Sequence, residues 1–224
     1  VTPWGVSADP VNPDDAIAWF RDRLRMTKSE FDALTSRARA QAFTVSGVAK
    51  VDVVHDVWKA LDDAIANGTD LRAFKEAIGD TLTSAWKGSN IDPSFRLETI
   101  FRTNVQNAYS AGRLVAAEDP EVREARPYFL FDAVGDSRTS PACRLLNGVL
   151  LRADDPFWAA HTPPMHHRCR SQLITLSEDD ALELGGMTAK PKVVTADGFG
   201  SPPHMSTWKP TLTDYPKALR PGVP

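Results

Sequence analysis

Tyr128 to Leu176 read YFLFDAVGDSRTSPACRLLNGVLLRADDPFWAAHTPPMHHRCRSQLITL, and this run decides the fold class. It opens on Pro127 to Val134, aromatic and apolar enough to read as a strand with both faces covered. It closes on Ser171 to Leu176, a second strand-like segment. Between them Asn147-Gly148 is a hairpin signal ahead of a short strand, Gly148 to Leu151. Gly135 to Ala142 reads as a polar loop, and Asp154 to Ala160 has room for one helical turn. Ser177 to Leu184 adds a short helix stopped by Gly185-Gly186. Residues 127–184 thus form a small antiparallel lobe with a thin core, the kind of unit that a metal ion often holds together.

Upstream, residues 14–126 read as a helical scaffold, so the fold class is α+β. Asn12-Pro13-Asp14-Asp15 starts a first helix, with Ile17, Phe20 and Leu24 on one face. Thr27 and Glu30 fit a capping box for a second, which carries Phe31, Leu34 and Ala38 inward and Arg37 and Arg39 among its polar positions. Val51 to Ala66 is a third, ended by Asn67-Gly68, and Thr69 caps a fourth with Leu71, Phe74, Ile78 and Leu82 buried. Asp92-Pro93 starts the longest helix, roughly Ser94 to Ala117. Its centre holds Arg102-Thr103-Asn104 and Gln106-Asn107, polar residues where a packed helix has few. Arg102 and Asn104 are the candidates for fixing the lobe's loops, and Gly112 marks a close approach of another segment.

Residues 1–13 read as an extended arm that docks through Trp4. Residues 185–224 form a proline-rich tail, extended along a partner or disordered, with Trp208, Tyr215 and Leu219 as anchors. Hydrophobic residues make up 42% of the chain, enough for a core, while a net charge of -3 argues against a strongly basic nucleic-acid module. No apolar run reaches the roughly 20 residues that span a bilayer, and no basic-then-apolar leader opens the chain. Two cysteines make no disulfide framework. The expectation is a soluble chain folding in a reducing cytoplasm, with no membrane partner.

Both cysteines, Cys143 and Cys169, fall in the lobe with three of the five histidines. Cys143, His161, His166 and Cys169 make a Cys2His2 set of the kind that closes a structural zinc site. His167 can stand in for His166, and Asp132 or Asp136 for His161. The same cluster, with one of those acids as base, is also the start of a metal-dependent hydrolase, and Cys143 with a histidine makes a nucleophilic dyad without a supporting motif. Arg138, Arg144, Arg168 and Arg170 make the lobe locally basic. Salt bridges to Asp136, Asp154 and Asp155 account for such a patch, as does contact with DNA phosphates through Arg144, Arg168 and Arg170.

Two stretches resemble a known family. IFRTNVQNAYSAGR (Ile100 to Arg113) is similar to the helix signature of the Mu F-like phage head morphogenesis proteins, also called minor head or minor capsid proteins. DSRTSPACRLLNG (Asp136 to Gly148), then Phe157-Trp158 and PPMHHRCRS (Pro163 to Ser171), resembles that family's C-terminal motif. The resemblance runs from about Asp14 to Leu176. It implies a non-enzymatic, low-copy virion protein that meets the portal and major capsid proteins during procapsid assembly in the host cytoplasm, with packaged double-stranded DNA as a further contact. The positions carried over include Arg102, Asn104, Tyr109, Gly112 and Arg113, and Asp136, Arg138, Thr139, Cys143, Gly148, Pro163, Pro164, His166, Cys169 and Arg170. It favours His166 over His167 as a ligand. Where the family often has a further cysteine this chain has Ser171, which leaves His161 as the expected fourth ligand.

Overall fold

The computed structural model describes residues 13–34, 42–88, 90 and 92–202. The arm up to residue 12, Arg37, Ala38 and Arg39, and the anchors Trp208, Tyr215 and Leu219 lie outside the described residues.

The chain begins with helix α1 (Pro13–Arg21), strand β1 (Leu24–Arg25), helix α2 (Lys28–Asp32) and strand β2 (Ala42–Phe43). Thr27 and Glu30 make the capping box of α2. That helix stops at Asp32, and the chain returns as β2, which pairs in parallel with β1. Helix α3 (Val51–Asn67) ends on Gly68 at φ 73°. Helix α4 (Leu71–Ala85) is capped by Asp70, whose carboxylate accepts from the Ala73 N–H, and not by Thr69. The Thr69 hydroxyl instead donates to Asp63. Phe20, Val57, Leu61, Phe74, Ile78 and Leu82 form the scaffold core, where Phe20 stacks on Trp58.

Helix α5 (Pro93–Glu118) joins the two halves of the molecule. Asp92 caps it and Pro93 takes its first turn, as the sequence predicts. Its 26 residues span about 39 Å. The stretch from Leu97 to Ala108 puts Leu97, Ile100, Phe101 and Ala108 into the scaffold core. The last turns put Leu114 and Ala117 into the lobe. Gly112 is where α1 crosses: a Cβ there would lie 3.0 Å from the Ala16 nitrogen. The expected close approach is real, and the approaching segment is α1.

After helix α6 (Pro120–Ala125) the lobe is built on a three-stranded antiparallel sheet. Its central strand β3 (Tyr128–Asp132) lies between β4 (Leu150–Arg152) and β5 (Gln172–Leu176). Leu130 stands opposite Leu150 on one side and Ile174 on the other. Period-two alternation sends Phe129 and Phe131 to one face and Leu130 to the other. The first face packs with Leu146, Val149, Trp158, Met165 and both cysteines. Between the strands run helices α7 (Pro141–Leu146) and α8 (Trp158–His161), and the second face, Leu130 with Leu150, Ile174 and Leu176, is covered by Ala181 of helix α9 (Glu178–Glu183). The lobe core is therefore better filled than its sequence suggested.

Two local expectations are corrected. The loop from Gly135 gives way at Pro141 to α7, capped by Ser140. Asn147-Gly148 is no two-residue hairpin. The Asn147 side chain accepts from the Ala133 N–H at 2.9 Å, and the Gly148 N–H donates to the Phe131 carbonyl, so the pair ends a helical connection. Residues 187–200 run along the lobe itself. The Thr188 N–H donates to the Leu150 carbonyl at 2.9 Å, Ala196 to Met165, and Gly200 to Pro164. No described helix is long and apolar enough to cross a membrane.

Candidate metal centre

The centre is assembled by α7 and by the turn before β5. Ser140 caps α7 by accepting from the Cys143 N–H at 3.2 Å, and this aims the Cys143 thiol inward. Asp136 organises the loop before it, accepting from the Arg138 N–H at 3.0 Å and the Thr139 hydroxyl at 3.2 Å. Arg144 ties the same loop by donating to the carbonyls of Thr139 and Asp136. On the other side, the Cys169 N–H donates to the His166 carbonyl at 3.2 Å and closes a tight turn. Arg168 within it has φ 58°, a conformation that side chains rarely adopt. Its surroundings fix it there. Its N–H donates to Thr103 Oγ1 at 3.1 Å, its guanidinium pairs with Glu98 at 2.8 Å, and it lies over the Phe95 ring.

Cys143 Sγ lies 3.4 Å from His166 Nε2 and 3.8 Å from Cys169 Sγ. All three ligand atoms fall within 4.8 Å of one another, both cysteines buried and the histidine half-buried. His166 Nδ1 donates to the His167 carbonyl at 2.8 Å, which leaves the Nε2 lone pair facing the thiols. Metal–sulfur and metal–nitrogen bonds of about 2.3 and 2.0 Å at the tetrahedral angle set S···S near 3.8 Å and S···N near 3.5 Å. The protein holds its donors at that spacing. The two thiols also share charge unequally. The hydrogen bond from Cys143 draws the Cys169 thiol down to about 5. The Cys143 thiol is pushed up, first by its hydrogen bond to Cys169 and then by burial. A cation that took both sulfurs would displace their protons.

The structure brings together three of the four expected ligands. His161 is elsewhere, with Nδ1 2.9 Å from the Phe157 carbonyl, Nε2 3.2 Å from that of Val193, and its ring stacked on Phe157. His167 packs edge-on against Phe199. Asp136 is held bidentately by Arg170 at 2.6 and 2.8 Å, and Asp132 accepts from Gln172. Neither candidate base reaches into the cluster among the described residues.

Among the described residues, neither Arg102 nor Asn104 bonds to the lobe. Arg102 pairs with Glu98 on its own helix at 2.6 Å, and Asn104 donates to the Ile100 carbonyl. The contact belongs to Glu98, to Thr103, and to Gln106, which donates to the Ser171 carbonyl at 3.0 Å. Thr103, Gln106 and Ser110 recur at helical spacing, a polar stripe visible in the sequence. Tyr109 packs on the scaffold core, and Arg113 borders an apolar cleft of about 440 Å³ beside β5. Of the arginines considered for DNA, Arg170 pairs with Asp136, Arg168 with Glu98, and Arg144 with loop carbonyls.

The arrangement defines a class: a helical scaffold whose longest helix carries a small three-stranded lobe built over a Cys2His donor set. The chain belongs to the Phage Mu protein F like family, whose model matches residues 55–174, from α3 into β5. It is 35% identical over 185 residues to the Mu-like prophage FluMu F protein of Haemophilus influenzae, covering 78% of this chain and 43% of that protein. It is 30% identical over 188 residues to the protein named "Putative capsid assembly protein F" of Escherichia phage Mu, covering 77% and 42%. The chain spans less than half the length of either relative. No solved structure matches it.

Proposed function

We propose that the chain is a non-enzymatic minor head protein of a tailed phage or prophage, acting in head assembly beside the portal and major capsid proteins. Its Cys143, His166 and Cys169 take one zinc ion, which ties α7 to the turn that docks on Thr103. The observation that carries the assembly role is family membership over the region that contains all three donors. The name of the phage Mu relative supports it. The donor spacing of 3.8 and 3.4 Å supports the metal. The hydrolase reading has less support, since Asp136 and Asp132 are both engaged. Contact with packaged DNA also has less, because Arg168 and Arg170 already neutralise acids.

Imaging and mass spectrometry of purified heads test the role. The expected result is a low-copy component near the portal vertex. Recovery only from the soluble fraction of a lysate, with none in heads, contradicts it.

A further inference from the structure

We infer that the centre leaves its fourth coordination place to a small exogenous ligand, water-derived oxygen or a monodentate anion, and that no described side chain closes it. This rests on the metal reading above and departs from the closed tetrahedron of a purely structural zinc. Cys143, His166 and Cys169 are the whole donor group among the described His, Cys, Asp and Glu residues. His161 has both ring nitrogens against backbone carbonyls, and a swing toward the cluster would strand the Phe157 and Val193 contacts and unstack a ring pair at 3.9 Å. Asp136 has both oxygens on Arg170.

Beside the donors lies a cleft of about 20 Å³, bordered by Cys143, His166, Ser140 and Ser171. That volume seats one water-sized ligand, or the bound end of a longer anion that extends through the open rim. Val134 and Arg138 on its rim are exposed, so it opens to solvent. Charge favours an anion. Two thiolates and a neutral imidazole cancel a divalent metal, and Arg138, Arg168 and Arg170 border the cleft while two carboxylates, Asp136 and Glu98, oppose them. A hydroxide or a small anion at the fourth place thus meets a net positive rim.

Cobalt substitution of the full chain tests this, with azide as the probe. The expected result is one cobalt per chain, with visible d–d bands that shift saturably as azide is added. His161→Ala is expected to bind cobalt with unchanged affinity and to respond identically. Ser171→Cys, which places a thiol at the cleft wall, is expected to keep cobalt and lose the azide response. A cobalt spectrum indifferent to azide overturns the open place while leaving the metal reading intact, and so does loss of cobalt in folded His161→Ala. Failure of the native chain to take up cobalt overturns the metal reading and this inference together.

Discussion

Gly112 offers a calibrated test of how the scaffold is packed. A Cβ added there would lie 3.0 Å from the backbone nitrogen of Ala16 and 3.3 Å from its Cα and Cβ. These atoms belong to a packed helix and cannot swing aside. Two effects compete in Gly112→Ala. Replacing a mid-helix glycine by alanine gains about 0.8–1.0 kcal/mol. Forcing a methyl group into a closed contact costs about 1–3 kcal/mol. With three contacts at 3.3 Å or less, the upper half of that range applies, leaving a net loss of about 1–2 kcal/mol. In a chain of this length that lowers Tm by about 2–8 °C. Gly79, mid-helix in α4, is the control, because its added Cβ would meet nothing nearer than Leu97 Cδ1 at 3.8 Å. Gly79→Ala keeps the propensity gain and should raise Tm by about 2–4 °C. Thermal melts followed by circular dichroism compare the two at fixed metal content. If Gly112→Ala is as stable as Gly79→Ala, α1 does not cross α5 at this point.

Thr103→Val removes the acceptor for the Arg168 N–H and should cost about 1–3 kcal/mol. Hydrogen exchange across residues 166–171 should rise while α3 and α4 stay protected. Asp136 is held well below the usual carboxylate value of 3.8, first by its hydrogen bond from Arg170. A lowered acid binds fewer protons folded than unfolded, so its contribution is full above about pH 5 and fades as the pH falls below the ordinary value. The Tm gap between the native chain and Asp136→Asn should therefore be constant near neutrality and narrow below pH 4; a gap that widens in acid contradicts the pairing. Gly200 has φ 84°, and a Cβ there would lie 2.5 Å from the Ala160 carbonyl. The left-handed conformation alone makes Gly200→Ala cost about 1–2 kcal/mol, and limited proteolysis should then cut within residues 187–202 while the sheet persists.

The helix ends were legible where a residue acts on its own backbone. Thr27 with Glu30, Gly68 at its positive φ, and Asp92 before Pro93 all act where the sequence placed them. Ser140-Pro141 and Asp119-Pro120 use the same cap-then-proline device, and their short helices were readable by the same rule. β1 and β2 were not readable: two residues each have no period, and their pairing depends on contacts such as the Met26 N–H to the Phe43 carbonyl. At the centre, residue type singled out Cys143, His166 and Cys169. His161 was misplaced because spacing along the chain cannot tell a histidine facing the cluster from one turned onto Phe157. The docking face was seen as odd polarity in α5, yet charge drew attention to Arg102 when the buried Thr103 makes the bond. The extended run of residues 187–200 is held by backbone hydrogen bonds, which leave no pattern in side-chain type.

The central claim is that Cys143, His166 and Cys169 hold one metal ion. X-ray absorption on the zinc-loaded chain, purified without chelator, measures this directly. The account predicts one zinc per chain with two sulfur neighbours at about 2.3 Å and two nitrogen or oxygen neighbours at about 2.0 Å. It further predicts that Cys143→Ala removes the ion. A chain that binds no stoichiometric zinc, or whose zinc has no sulfur neighbours, contradicts it.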